Sequence, residues 1–140
     1  MLLPPPTLSL MIVCDDWFAR SLIASVAEES GRFSRVATVD DGYSALAETW
    51  QGVEDGAAPN VFIVDTGSVG PSAERLVLEL RNDAATENAY VALLTGEDAA
   101  PFSRADFSAS VRLDVEELSE LVEAIANAAA VTAQLGRPSF

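Results

Sequence analysis

Three acidic residues of this sequence stand where apolar segments end, and acids in such places can do chemistry. Asp15 and Asp16 directly follow the apolar run Leu8–Cys14. Asp65 directly follows a second run, Val61–Val64. A carboxylate at the end of a buried strand is costly unless it is paired, binds a metal or reacts. Two strands that deliver acids to one edge of a sheet would form a small anionic cluster, which suits a hard divalent cation.

Each acid also has a purely structural interpretation, which the residues alone leave open. Asp15 and Asp16 are suited to cap a helix that follows them, and Asp65 is suited to a turn that ends a strand. The single cysteine, Cys14, lies inside the first apolar run, where we expect an inert core residue.

The composition excludes several kinds of chemistry. The 140 residues include 22 acids and eight basic residues, all of them arginine, and they contain neither histidine nor lysine. The absence of histidine excludes a histidine-dependent triad and a histidine metal site. The absence of lysine excludes Schiff-base chemistry and the lysine of a phosphate-binding loop. A net charge of −14 disfavours binding to nucleic acid or to an anionic membrane.

Length and patterning indicate one soluble domain. A chain of 140 residues suits a single domain with its own core. Apolar stretches are too short to span a membrane, and the segment Met1–Pro6 lacks the basic region of a signal peptide. A single cysteine forms no internal disulfide and suits a reducing compartment. We therefore expect a cytoplasmic protein.

The hydrophobic pattern predicts five strands that alternate with helices. Strands are predicted at 8–14, 35–39, 61–64, 90–96 and 109–113. Helices are predicted at 17–29, at 43–50, from Pro71 onward and after Asp114, and residues 52–60 are predicted to form a surface loop. This alternation predicts a parallel sheet covered by helices on both faces, whose ligands bind beyond the carboxyl ends of the strands. Asp15, Asp16, Asp65 and Thr95 all fall at that edge.

The motifs Met11–Asp16, Val61–Asp65 and Leu93–Gly96 resemble, in this order, those of the CheY-like receiver domain of two-component response regulators. The segment Asp40–Leu46 resembles the acidic-Gly turn that precedes the second helix of this family. The resemblance covers roughly residues 8–130 and implies an α/β, flavodoxin-like, doubly wound five-stranded parallel sheet of order 2-1-3-4-5. We divide the chain into a flexible lead (1–7), a single receiver-like domain (8–135) and a tail (136–140).

The resemblance implies a role for each residue of the site. Asp65 matches the phosphoacceptor, which takes a phosphoryl group from a sensor histidine kinase or a phosphotransfer protein. Asp15 and Asp16, with Asp65 and the backbone carbonyl of Gly67, match the ligands of Mg²⁺. Thr95 matches the hydroxyl residue that hydrogen-bonds the phosphoryl group, and Gly96 matches the small residue beside it.

The sequence departs from the family pattern on the output side. The family carries a Lys-Pro pair after its fifth strand, and either Val111 or Arg112 falls at the lysine position here. Arg112 is a candidate substitute for the lysine charge, although an arginine at such a position is more often an ordinary surface residue. The aromatic switch residue of the family is replaced by Ser108 or Ala109, and Val69 stands where proline is common. The segment after Thr95 is short, so the helix between the fourth and fifth strands is expected to be short or missing.

The resemblance implies a stand-alone signalling phosphoprotein rather than an enzyme. It would act in phosphorelay signal transduction through contacts with an unidentified output protein, and homodimerisation stays open. The alternative is a pseudo-receiver, an interaction module that works without phosphorylation. A more distant alternative is an enzyme of the aspartic-protease type, because Asp65-Thr66-Gly67-Ser68 is similar to the signature of those proteins. Their fold, however, is nearly all β.

Overall fold

Five parallel strands form the centre of the protein, in the spatial order β2-β1-β3-β4-β5. The structure is a computed structural model that describes residues 7–95, 105–110 and 114–135. The doubly wound order 2-1-3-4-5 is therefore confirmed. The strands are β1 (Ser9–Val13), β2 (Arg35–Val39), β3 (Val61–Asp65), β4 (Tyr90–Leu94) and β5 (Phe107–Ala109).

Helices cover both faces of this sheet. One face carries α1 (Trp17–Ser30) and α5 (Val115–Leu135), which also pack against each other. The opposite face carries α2 (Gly42–Asp55), the single turn α3 (Thr66–Val69) and α4 (Ser72–Arg81). None of the helices among the described residues combines the length and the apolar character that a membrane span requires.

The central strands are apolar along their whole length because both of their faces are buried. In β1, Leu10 and Ile12 contribute to the cluster under α1 and α5, whereas Met11 and Val13 contribute to the cluster under α2 and α4. A strand that supplies two cores cannot alternate apolar with polar residues. This geometry explains the apolar runs that precede Asp15 and Asp65.

Aspartates cap three of the helices, and each cap satisfies a backbone N–H that has no partner inside the helix. Of the two acids predicted as possible caps of the first helix, Asp16 is the one that caps it, and Asp41 and Asp114 cap α2 and α5 in the same way. The bonds run to Asp16 from Ala19 at 3.0 Å, to Asp41 from Ser44 at 2.8 Å and to Asp114 from Glu117 at 2.9 Å.

The second helix is longer than predicted, so the prediction of a surface loop over 52–60 is wrong for its first residues. The helix continues to Asp55 and ends at Gly56, whose φ of 73° is the left-handed conformation that glycine adopts readily. Gly52 lies inside the helix, where a Cβ would stand 3.0 Å from the Cα of Ala58. This glycine therefore permits a close approach of the returning chain and does not end the helix.

The fifth strand begins earlier than predicted: it spans Phe107–Ala109, whereas the sequence pattern indicated 109–113. The shift follows from the contacts of two residues. Phe107 packs on the cluster under α1 and α5, and the N–H of Asp106 donates to the carbonyl of Val91 at 2.9 Å. The rest of the predicted strand, 111–113, lies outside the described residues, as does 96–104, where the short helix between β4 and β5 was expected.

The lead and the tail fall mostly outside the described residues as well. Residues 1–6 and 136–140 are not described, so the division of the chain into lead, domain and tail stays a prediction. Thr7 is described, and its carbonyl accepts a hydrogen bond from the side-chain amide of Asn60 at 2.9 Å.

Candidate functional site

The strand register brings the predicted site residues to one edge of the sheet. Val13 pairs with Val64 across β1 and β3, so Cys14 and Asp65 follow at the same level. Asp65 in turn pairs with Leu94 of β4, so Thr95 leaves the neighbouring strand at the same edge. Asp15 and Asp16 follow Cys14 directly. The carboxyl ends of three adjacent strands thus supply three acids and a hydroxyl.

Asp65 ends the central strand β3 and is half-buried. Its Oδ2 accepts a hydrogen bond from the thiol of Cys14, with 3.4 Å between sulfur and oxygen. Within the described ranges, Asp65 forms no ion pair with an arginine. Burying part of a carboxylate without a neighbouring cation costs free energy, so such a group is unusual unless it binds a ligand or reacts.

The two adjacent acids after β1 differ in what they contact. Asp16 places Oδ1 on the N–H of Ala19 and so caps α1. The side chain of Asp15 is exposed and forms no hydrogen bond with any described residue, while its backbone N–H donates to Ser68 Oγ at 3.0 Å. Asp15 therefore has an unengaged carboxylate, and Asp16 keeps one free oxygen.

The structure adds two residues that the sequence interpretation missed, Cys14 and Ser68. Cys14 is fully buried, as expected, and its thiol also forms a hydrogen bond with the side chain of Asp65. Ser68 joins the loop after β1 to the loop after β3, because its Oγ accepts from Asp15 and lies 3.3 Å from the carbonyl of Asp65, to which it donates. A thiol next to an acid pair and a hydroxyl three residues after Asp65 were the available signals.

Burial raises the pKa of the Cys14 thiol above its ordinary value, and the charge of Asp65 acts in the same direction. The thiol is therefore protonated at neutral pH, which is the form that can donate a hydrogen bond. A protonated thiol is also a poor nucleophile and metal ligand.

Because residue 67 is a glycine, it places no side chain against the carboxylate of Asp65. A Cβ at this position would stand 3.6 Å from Asp65 Oδ1, so a side chain would rest against that oxygen. The turn that carries Gly67 is anchored on β4, since Thr66 Oγ1 donates to the carbonyl of Leu94 at 3.1 Å. Thr95 is half-buried, and its N–H donates to the carbonyl of Ala109 at 2.9 Å.

The proposed metal ligands fit Mg²⁺ by donor type, because three carboxylates and a backbone carbonyl are all oxygen donors. They are not drawn together, however: among the described residues, no three acidic or cysteine side chains form a group that could hold a metal ion. Asp16 and Asp65 each have one oxygen engaged elsewhere. Holding a cation therefore requires the exposed side chains of Asp15 and Asp16 to turn toward Asp65.

The output side of the site is described only in part. Val111, Arg112 and Gly96 lie outside the described residues, so the lysine substitute stays a prediction. Ser108 is exposed and Ala109 is half-buried in β5, and the aromatic residue of this strand is Phe107. Val69, at the position where proline is common, is buried in α3.

The nearby cation Arg20 is already engaged. Its guanidinium donates to the carbonyl of Cys14 at 3.2 Å and pairs with Asp40. It thereby links the carboxyl ends of β1 and β2. Arg20 holds the backbone at the rim of the site, and its charge is opposed by that of Asp40.

No protein-family model matches the sequence, and no curated protein matches it either. Solved structures do match. The chemotaxis response regulator CheY4 of Vibrio cholerae is similar with a TM-score of 0.68 and 18% identity, over 86% of this chain and 99% of that one. A CheY-like response regulator receiver domain from Methylobacillus flagellatus is similar with a TM-score of 0.65 and 21% identity, over 86% and 99% of the two chains.

The Mn²⁺-bound form of the response regulator Rcp1 is similar with a TM-score of 0.68 and 16% identity, over 96% of this chain and 99% of that one. These matches span nearly the whole domain, and they share the five-stranded sheet with helices on both faces. At such low identity they establish architecture and not activity. The chain therefore has the fold of the CheY-like receiver domains of response regulators.

Proposed function

We propose that this chain is a phosphorelay receiver that accepts a phosphoryl group on Asp65. The observation that carries the proposal is the placement of this carboxylate. Asp65 ends the central strand, is half-buried without an ion pair among the described residues, and has Oδ1 open beside Gly67. An acid kept in such a place without a compensating charge is suited to react.

The reaction is a transfer between two nucleophiles. A carboxylate oxygen of Asp65 attacks the phosphorus of a phosphohistidine on a sensor histidine kinase or a phosphotransfer protein. The new O–P bond makes an acyl phosphate, and the N–P bond breaks to release the imidazole of the partner. Thr95, at the same edge of the sheet, is the hydroxyl that would donate to a phosphoryl oxygen.

Asp15, Asp16, Asp65 and the carbonyl of Gly67 are the groups that would hold Mg²⁺. The ion, when bound, supplies positive charge that neutralises phosphoryl oxygens. The similarity to the Mn²⁺-bound form of Rcp1 supports a divalent cation at this edge. Output would follow through contacts with another protein, because the receiver carries the signal and no chemistry of its own beyond the phosphoryl group.

Intact-mass spectrometry tests the proposal. The protein is incubated with Mg²⁺ and a small phosphodonor, and the expected result is a mass increase of one phosphoryl group that hydroxylamine removes. The increase should vanish in Asp65→Ala and persist in Asp55→Ala, a matched variant that removes an exposed acid at the far end of α2. Equal labelling of both variants would contradict the assignment of Asp65.

One observation favours a second candidate, a pseudo-receiver that binds a partner without phosphorylation. The described acids do not form a metal-binding group, because Asp16 caps α1 and Asp65 accepts from Cys14. If this candidate is right, the protein shows neither an adduct nor binding of Mg²⁺ at millimolar concentration. The aspartic-protease interpretation finds no support, since a parallel sheet covered by helices differs from the nearly all-β fold of those enzymes.

A further inference from the structure

The two oxygens of the Asp65 carboxylate lie in different surroundings. Oδ2 lies 3.4 Å from the sulfur of the buried Cys14 and accepts its thiol hydrogen, for which the carbonyl of Asp16, at 3.6 Å from the sulfur, is the longer alternative. Oδ1 lies 3.6 Å from the place that a Cβ at Gly67 would occupy, and the glycine itself places no side chain there. A carboxylate that turns half a revolution about its Cβ–Cγ bond exchanges these oxygens, so a contact to one of them decides which oxygen stays outward.

Ser68 fixes the backbone on which this arrangement depends. Its Oγ accepts from the N–H of Asp15 at 3.0 Å and donates to the carbonyl of Asp65 at 3.3 Å. It also lies 3.7 Å from the sulfur of Cys14. One hydroxyl thus spans both loops of the site and touches the thiol, so the loop after β1 and the loop after β3 are held together.

We propose that Cys14 and Ser68 are positioning residues for the phosphoacceptor, which hold Asp65 so that Oδ1 faces the incoming phosphorus. The inference rests on the proposed function of Asp65 and names the oxygen that reacts. The thiol acts through geometry, since it need not lose its proton. When Oδ1 bonds to phosphorus, Oδ2 becomes the carbonyl oxygen of the acyl phosphate and still accepts from the same thiol.

The first experiment separates the donor from the volume of the side chain. Cys14→Val and Cys14→Ala both remove the donor, one with a larger and one with a smaller side chain. We expect each to slow labelling by a small phosphodonor at saturating Mg²⁺ by roughly three- to tenfold, the effect of one hydrogen bond. Cys14→Ser keeps a donor and should recover most of the lost rate. Ser68→Ala should slow labelling to a similar extent.

The second experiment observes the contact without any phosphorylation. Cys14 is the single cysteine of the chain, so the S–H stretching band in the infrared or Raman spectrum reports on this thiol alone. We expect the band of the wild-type protein at the lower frequency of a hydrogen-bonded thiol. In Asp65→Ala the band should move to a higher frequency, because the thiol then keeps only the longer contact with the carbonyl of Asp16. A band that is identical in the two proteins overturns the proposal.

The outcomes distinguish the positioning role from the function on which it rests. If the wild-type protein is labelled and Cys14→Val and Cys14→Ala are labelled as fast as the wild type, the positioning role is overturned and Asp65 remains the acceptor. Slowing of Cys14→Ser to the level of Cys14→Ala also overturns it, because packing and not the donor would then matter. Absence of any adduct in the wild-type protein overturns both proposals, whatever the S–H band shows.

Discussion

Asp106 and Asp65 both stand at the end of a strand, yet the protein treats them differently. Asp106 precedes β5, is nearly buried, and pairs with Arg81 through an N–O contact of 2.9 Å. Its Oδ2 also accepts from the N–H of Val91 at 2.8 Å. The other end of the guanidinium donates to the carbonyls of Glu87 and Ala89, so both partners of the ion pair are well supplied with hydrogen bonds.

Asp65 has far less compensation. Its side chain accepts from a neutral thiol, a weak donor, and from no arginine within the described ranges. The proposed function accounts for this contrast. The structural carboxylate of Asp106 is stabilised by a cation and a backbone N–H, whereas the proposed phosphoacceptor would need its oxygens available for a metal and for phosphorus.

The largest effect on stability is expected from removing Asp106, the structural acid of the two. Asp106→Ala removes the carboxylate that pairs with the buried charge of Arg81, and we expect a loss of about 3–5 kcal/mol in the free energy of unfolding. Urea denaturation measures this loss. The matched control is Glu79→Gln, which removes the exposed pair of Arg75 with Glu79 and should cost less than about 0.5 kcal/mol. Similar losses in both variants would show that Asp106 is not specially stabilised.

The second effect is a pH dependence of stability that arises from the Cys14 thiol, which is hydrogen-bonded to Asp65. Because burial raises the pKa of Cys14 in the folded protein, the folded state holds this proton more tightly than the unfolded chain. This contribution to the free energy of unfolding is fully present below the ordinary thiol pKa of about 8.5. It is lost as the pH rises from there toward the pKa of the thiol in the folded state, by at most about 1.4 kcal/mol per pH unit. The difference in unfolding free energy between the wild-type protein and Cys14→Ala should therefore shrink above this pH. A difference that stays constant with pH would contradict the shift.

The third effect divides the adjacent acids. Asp16→Ala removes the cap of α1 and should destabilise the protein by about 1 kcal/mol. Asp15→Ala removes an exposed carboxylate without a side-chain bond to a described residue, and its effect should stay within about 0.5 kcal/mol. Thermal unfolding followed by circular dichroism measures both. Equal losses would mean that the capping bond carries no stability of its own.

The smallest expected effect on stability is at the proposed acceptor, Asp65. Asp65→Asn removes a half-buried charge that has no ion pair among the described residues, so we expect a change within about 0.5 kcal/mol, or a slight gain. Urea denaturation of Asp65→Asn and Asp106→Ala under the same conditions compares the two acids directly. A loss as large as that of Asp106→Ala would show that Asp65 is a structural acid as well.

Much of the fold could be predicted from the sequence, because strands that are buried on both faces, here β1, β3 and β4, consist of consecutive apolar residues. The acids at the ends of those runs, and the capping acids Asp16 and Asp114, have local causes that a single sequence displays. The positions of Asp15, Asp65 and Thr95 at one edge follow from the parallel topology, which the alternation of strands and helices predicts.

Other features depend on contacts between distant segments. The bond from Cys14 to Asp65 joins residues 51 positions apart and requires the register of β1 on β3. Arg81 and Asp106 are 25 positions apart in the sequence, and the residues near Asp106 do not indicate that the two pair. A glycine such as Gly52 is typical of a helix end in a sequence. In the structure, Gly52 lies inside the helix and permits the close approach of Ala58.

The most direct test of the central claim is to locate the phosphoryl group at residue level. Treatment of the labelled protein with borohydride reduces an aspartyl phosphate to homoserine, which marks the acceptor permanently. Trypsin cleaves after arginine and separates peptide 36–75, which contains Asp65, from peptide 1–20, which contains Asp15 and Asp16. We predict homoserine at position 65 after incubation with Mg²⁺ and a small phosphodonor, and none when Mg²⁺ is removed by chelation. Homoserine at another position, or in no peptide, would contradict the account.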